Sequence, residues 1–325
     1  DVCSSDLALG GIRMQPYDSD EACMTDTIRL AKGMTYKAAI AETGQGGGKA
    51  VINHDPNAKT EELFLAMGEF VESLSGLYIA AEDMNMTVAN LETVARKTKH
   101  VSGLAIEKGF SGNPSPMTAR GCLIGLKATA KELFGDDSLR DRTIAIQGIG
   151  AVGAALAKHC IEAGATVAVS DIDQEKVDAF SSETGVIALD NPDAALTCSC
   201  DFLSPCARGG LLNDESIPNL QCKAIGGAAN NQLAEPAHAE ALPERGITDV
   251  PDFALNPGRS VNVAAELTGH YDVADVEPRV DAIGPRVTAL LEEAEGRNQT
   301  TWSIALEWAE RRIQPAHVPP VAVVR

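Results

Sequence analysis

The sequence predicts an α/β fold in two domains, and three observations carry that prediction. The chain has 325 residues, which suits two domains of about 100–200 residues each. In its second half an apolar strand at 142–147 runs into the glycine turn GIGAVG at 148–153, then a helix to about Ala163, then a second apolar strand at 166–170. Strand, turn, helix and strand in that order form the βαβ unit of a parallel sheet. Further short strands at 201–203, 224–225 and 246–249 alternate with helices or loops, the order of a doubly wound Rossmann sheet.

Each element follows from local pattern. The first seven residues, DVCSSDL, read as a non-native leader, so the natural chain is expected to begin near Ala8, inside a domain. Residues 20–31 place Ala22, Cys23, Ile28 and Ala31 at helical spacing behind acids in the first turn. A short strand is expected at 50–52 and a helix at 60–74, where Leu63, Phe64, Met67, Phe70, Val71 and Leu74 recur at threes and fours. Strand 77–81 and helix 88–98 follow. Glycine and proline thicken at GFSGNPSPMTARG, residues 109–121, a hinge that opens a helix at 117–134. The amphipathic helix at 301–313 closes the pattern, and the tail from Gln314, with three prolines, is expected to be loose. The first domain then spans 1–110 with about 300–325, and the second spans 111–299.

Charge excludes some functions. A net charge of -19 repels phosphate, which argues against nucleic acid or an anionic membrane as the main partner. No apolar run reaches the length of a transmembrane helix. Eight scattered cysteines read as reduced thiols of a cytoplasmic protein. Cys198, Cys200, Cys206 and Cys222 lack zinc spacing, and the six histidines form no metal pattern. No metal is expected. Glu61–Glu62 and Glu292–Glu295 read as solvated helix faces.

The glycine turn has the context that a dinucleotide site requires. Gly148 permits a tight turn, Gly150 lets backbone approach a diphosphate at the helix N-terminus, and Gly153 allows helix to pack on strand. Asp171 ends the second strand, placed for a ribose 2′-hydroxyl. Asp171 and Asp173 would repel a 2′-phosphate, so NAD is expected over NADP. Ala151, Val152 and Ile172 complete the expected cofactor contacts.

In the first half, Lys37 and Lys49 bracket the glycines of TYKAAIAETGQGGGKAV. A phosphate-binding P-loop is excluded, because Thr43 and Ala50 stand where it needs glycine and a hydroxyl residue. Two solvated surface lysines remain one reading. Asp83, just past strand 77–81, supports another: one ammonium fixes a substrate carboxylate while the other loses its proton and acts as a base. A free lysine titrates near ~10.4, so a base working near neutrality needs a drop of roughly three units, about 4 kcal/mol.

These stretches lead to a family. ALGGIRM, KGMTYK, GGGKAV, AED, SGNPSPMTARG, GIGAVG, NNQL and VNVAAEL occur together and in order. The chain resembles the glutamate/leucine/phenylalanine/valine dehydrogenases over nearly its whole length after Leu7. The resemblance implies NAD-dependent, reversible oxidative deamination of an L-amino acid to a 2-oxo acid and ammonium, in a homo-oligomer whose two domains flank a cleft. It implies that Lys37 holds the substrate carboxylate, Lys49 activates water, and Asp83 shuttles protons. Gly10, Gly11 and Asn262 lie by the substrate, Ser115 and Thr118 by the nicotinamide, and Asn231 by its ribose.

Glutamate-specific relatives carry a lysine in place of Leu9 and a serine in place of Val263. With both positions apolar here, and Ala81 nearby, the implied substrate is a branched aliphatic or aromatic amino acid. Three features depart from the family. Asn85 and Met86 replace a Gly-Thr pair, Arg259 and Ser260 replace a glycine and an apolar residue, and a helix and strand that relatives carry before the GGxRM segment are not in the sequence. Two other functions fit parts of the pattern, a non-catalytic NAD-binding homologue and a 2-hydroxy-acid dehydrogenase. Arg13 has no assigned role.

Overall fold

The computed structural model describes residues 7–267, 269 and 271–313. The expectations for residues 1–6, for His270 and His317, and for the tail from Gln314 fall outside them. The chain divides into two units, Asp1–Gly112 with Glu307–Arg325, and Asn113–Leu306.

The first unit holds β1 (Ala8–Gln15), α1 (Asp20–Ala41), β2 (Gly46–Gly47), β3 (Ala50–Asn53), α2 (Glu61–Ser73), β4 (Tyr78–Glu82) and α3 (Val88–Val94). Its sheet is parallel. β1 pairs with β4 along one edge and with β2 and then β3 along the other. No strand was expected at β1, whose two adjacent glycines weaken the local signal; it is held by ladders on both sides. Ala8 faces Gly46 and Ile12 faces Ala50, so the register does not slip across Gly48 and Lys49, which interrupt the ladder.

Alternation along a strand sorts side chains onto two faces. Ile12, Met14, Ala50, Ile52, Tyr78 and Ala80 share one face and form a core with Phe64 and Val71 of α2 and Leu91 and Val94 of α3. The other parity carries Leu9, Gly11, Arg13, Lys49, Ala81 and Asp83. A β-carbon built on Gly47, of this parity, would lie 2.0 Å from the backbone nitrogen of Thr35, so α1 covers this second face.

Helix α1 corrects the expected end at Ala31. Ser19 caps it by accepting the Ala22 N–H. It then runs through Gly33 to Ala41 and stops at Glu42, which is left-handed at φ 55. Burial of Thr35, Lys37, Ala38, Ala39, Ile40 and Ala41 outweighs the roughly 1 kcal/mol that a mid-helix glycine costs. Lys37 is therefore a helical residue, not part of a flexible turn. Thr60 caps α2 through the Leu63 N–H, and α3 ends sooner than expected, at Val94.

The second unit holds α4 (Ser115–Phe134), β5 (Thr143–Gln147), α5 (Ala151–Glu162), β6 (Thr166–Ser170), α6 (Gln174–Thr184), β7 (Ile187–Ala188), α7 (Ala194–Thr197), β8 (Phe202–Pro205), β9 (Ala224–Ile225), α8 (His238–Glu244), β10 (Thr248–Asp249), α9 (Asp252–Leu255), α10 (Gly258–Glu266), α11 (Val273–Asp281), α12 (Ile283–Arg297) and the start of α13 (Thr301–Arg312). Six parallel strands run in the order β10-β9-β8-β5-β6-β7. The order reverses at β5, between β8 and β6, which is where doubly wound sheets open a crevice at the strand C-termini. Helix α4 begins at Ser115, two residues before the expected Met117, and α9 to α11 are helices without an expected counterpart.

One buried acid predicts a pH effect. Asp249, at the end of β10, is 8% exposed. Burial, and then the charge of Asp252, push its carboxyl up to about 7. The folded chain thus holds this proton more tightly than the unfolded chain, whose aspartates titrate near ~3.9. The stability is present below pH about 4 and is lost as pH rises through 7, up to roughly 4 kcal/mol. Asp249→Asn is expected to flatten this fall, melting well above the parent at pH 8 and by a smaller margin at pH 5; parallel melting curves of the two proteins across that range would exclude it.

Candidate active site

Two side chains meet on the α1 face of the first sheet. Asp83 follows β4 directly and Lys49 precedes β3 directly, so each flanks β1 from one side. The Lys49 ammonium contacts Oδ2 of Asp83, with side-chain exposures of 4% and 15%. Lys37, on α1, is 6% exposed. Burial of both lysines overturns the reading of solvated surface cations.

Gly11 leaves room for the pair. A β-carbon there would lie 2.5 Å from Cβ of Asp83. Gly10 permits a closer approach still, since its β-carbon would lie 1.7 Å from the carbonyl oxygen of Gly48. Tyr78 donates its hydroxyl to the Gly10 carbonyl at 2.7 Å; burial, then the charge of Asp83, push this phenol up. Leu9 and Ala81 flank the glycines on the same face and are buried.

Asn85 explains one departure. It is left-handed at φ 61, a conformation that asparagine adopts more readily than most other non-glycine residues. Its amide donates to the Met14 carbonyl at 2.9 Å, and Met86 packs into the apolar core. The loop that carries Asp83 is thereby tied back to β1.

Sequence reasoning missed a second set of groups here. Arg13 donates through Nε to Oδ2 of Asp83 at 3.1 Å and through Nη1 to Asp26 at 3.4 Å. Asp26, on α1, also accepts the Tyr17 hydroxyl at 2.6 Å. Burial lowers the guanidinium pKa, but Asp83 and Asp26 more than offset it and the net direction is up. The available signal was parity: once β1 is a strand, Arg13 falls two residues after Gly11, on the same face.

In the second unit the glycine turn sits at the C-terminal end of β5. Gly148 has φ +95, and its N–H donates to Ser170 at 2.7 Å. Gly153 lies so close under the turn that a β-carbon would be 1.9 Å from the Gly148 oxygen. Gly150 is the N-cap of α5 and makes no side-chain cap, which leaves helix N–H groups for an anion. A β-carbon on Gly150 would meet nothing within 4 Å. A strained turn around an open backbone position fits a dinucleotide diphosphate. Ala151 is exposed and Val152 half-buried beside it. Asp171 accepts the Ile149 N–H at 2.7 Å and the Asp173 N–H at 3.2 Å, so this carboxylate also braces the turn. Ile172 is 89% exposed.

The other expected contacts of this unit lie on three further segments. Ser115 and Thr118 are buried in the first turn of α4, where a β-carbon on Gly258 of α10 would lie 3.0 Å from Cα of Thr118. Asn231, left-handed at φ 52, donates its backbone N–H to Asp252 at 3.0 Å. Asn262 and Val263 are buried on α10, and the Tyr271 hydroxyl donates to Oδ1 of Asn262 at 2.8 Å. Arg259 is half-buried and Ser260 buried at the start of that helix.

Residues 5–100 match the family model described as Glu/Leu/Phe/Val dehydrogenase, dimerisation domain. Residues 109–174 and 170–272 match Glutamate/Leucine/Phenylalanine/Valine dehydrogenase. The chain is 44% identical to a leucine dehydrogenase of Geobacillus stearothermophilus over 308 residues, covering 94% of this chain and 83% of that one. It is 40% identical to a valine dehydrogenase of Streptomyces coelicolor, covering 96% and 86%. The crystal structure of L-tryptophan dehydrogenase from Nostoc punctiforme superposes with a TM-score of 0.77 at 37% identity, covering 94% and 87%. Carrying both family models and relatives this similar along nearly its whole length, the chain belongs to the glutamate/leucine/phenylalanine/valine dehydrogenase family.

Proposed function

We propose that the chain catalyses the NAD-dependent, reversible oxidative deamination of a branched-chain L-amino acid, giving the 2-oxo acid, ammonium, NADH and a proton from amino acid, NAD and water. One observation carries the reading: a buried lysine in contact with a carboxylate beside two glycines, on a covered sheet face. The relatives named leucine and valine dehydrogenase support the branched-chain choice.

Lys37 binds the substrate carboxylate as a point charge from α1. Lys49 takes a proton from water, which attacks the iminium carbon, and its ammonium form then stabilises the carbinolamine. Asp83 receives protons from the amine and returns them as ammonia leaves. Gly10 and Gly11 let the substrate lie against β1. Asn262 acts as an amide donor, because the Tyr271 hydroxyl on its Oδ1 fixes which way the amide points. Leu9, Ala81 and Val263 disfavour glutamate, since a buried, unpartnered carboxylate is expensive to desolvate. Neighbouring apolar side chains are separated by only about 1–3 kcal/mol per methylene.

Gly148, Gly150, Ala151, Val152 and Gly153 hold the diphosphate, Asp171 and Ile172 the adenosine end, and Ser115, Thr118 and Asn231 the nicotinamide end. When bound, the dinucleotide supplies the acceptor for the hydride from the substrate α-carbon. The acids at 171 and 173 favour NAD over its 2′-phosphate. A homo-oligomer fits the family model's dimerisation domain. A cytoplasmic setting fits the cysteines of the described residues, which are free thiols. No helix of the described residues is long and apolar enough to cross a membrane.

The test is NADH oxidation with a panel of 2-oxo acids, with and without ammonium. Branched-chain acids should turn over only with ammonium, and 2-oxoglutarate at least ~10³-fold more slowly, about 4 kcal/mol. Turnover without ammonium would make the chain a hydroxy-acid dehydrogenase. No turnover with any acid would make it a binding protein. Preference for phenylpyruvate or indolepyruvate would move the substrate to the aromatic class.

A further inference from the structure

We infer that Arg13 is a positioning residue of the lysine–aspartate pair: its Nε holds the same Asp83 oxygen that Lys49 contacts, so Asp83 keeps a counter-charge when Lys49 gives up its proton. The inference rests on the amine chemistry proposed above. A carboxylate alone beside Lys49 is a poor arrangement for a base. It stabilises the ammonium form, and deprotonation would leave a largely buried anion without its cation. Arg13 removes that obstacle. It is 9% exposed, and a guanidinium does not lose its proton. Its fork spans two acids, Asp83 at 3.1 Å and Asp26 at 3.4 Å.

Asp26 limits the effect. It draws part of the guanidinium charge away from Asp83 and is itself held by the Tyr17 hydroxyl. Arg13 on β1, Asp26 on α1, Tyr17 in the turn between those elements and Tyr78 on β4 act on the pair or its partners, and the buried Lys37 lies on the same helix as Asp26. Of these, Arg13 pairs with Asp83 directly and Asp26 pairs with Arg13. Their charges are opposite, so removing each should displace the titration of Lys49 in opposite directions.

The experiment compares pH profiles of kcat for oxidative deamination in the parent, Arg13→Gln, Arg13→Lys and Asp26→Asn. Loss of the Arg13 cation, which shares an Asp83 oxygen with Lys49, should move the acid limb up by about one to two pH units, the scale for charges a few ångströms apart at an effective dielectric near 20. Arg13→Lys, which retains the charge but not the fork, should keep the limb within about half a unit while kcat falls. Asp26→Asn should move the limb down, and it remains informative if Arg13→Gln fails to fold. A uniform loss of kcat with unmoved limbs in both Arg13→Gln and Asp26→Asn would overturn the inference and reduce Arg13 to a strut. Absence of ammonium-dependent turnover in the parent would overturn the proposed function itself, which separates the two failures.

Discussion

Lys49→Ala is expected to lower turnover by about 10⁴-fold or more, at the upper end for loss of a general base, while NADH binds as tightly as before. The two halves of that result come from different units. Lys49 belongs to Asp1–Gly112, and the glycine turn belongs to Asn113–Leu306. Loss of the lysine should cost little stability, because Asp83 still accepts from Arg13 Nε. Asp83→Ala should be the more damaging to folding, because it removes the oxygen that two buried cations share; breaking such a set costs about 3–5 kcal/mol. Turnover by Lys49→Ala above a tenth of the parent's, with the protein folded by circular dichroism, would remove the lysine from the chemistry.

The two sites differ in how far the sequence exposes them. The dinucleotide turn is contiguous. Gly148, Gly150 and Gly153 are fixed by a strand and a helix that adjoin them in the chain, so local pattern finds both the residues and their geometry. The lysine–aspartate pair is assembled across 34 positions by a strand that local pattern does not find. Two glycines hide β1, and ladders to β3 and β4 rather than propensity make it a strand. The recognised motifs supplied Lys49 and Asp83 as a pair, and the register of β1 then explains why they meet. Arg13 had neither a local signal nor a motif role, because its partner lies 70 positions away. The same blindness shortened α1. Its second half is helical because it covers the sheet, and that contact is invisible in the spacing of residues 20–31. Asn85 shows the reverse case: a residue that departs from the family pattern keeps the backbone conformation for which glycine is the usual choice.

Gly150→Ala should leave folding unchanged and weaken NADH binding by about 100-fold, roughly 2.7 kcal/mol. Gly150 has φ -60 and ψ -169, an extended conformation open to alanine. Its β-carbon would touch no protein atom within 4 Å. Alanine is a poorer N-cap than glycine, but it also reduces the freedom of the unfolded chain by about 0.4–1 kcal/mol; the two effects roughly cancel, and the melting temperature should move by no more than about 2 °C. Space that the protein leaves empty at a helix N-terminus is space for a ligand, and a methyl group there would push the diphosphate off the helix N–H groups. Gly153→Ala is the control. Its β-carbon would lie 1.9 Å from a backbone oxygen of the turn, so helix and strand must separate and the melting temperature must fall with the affinity. If Gly150→Ala binds NADH as tightly as the parent, the diphosphate does not rest on α5, and the cofactor assignment of the whole turn fails with it.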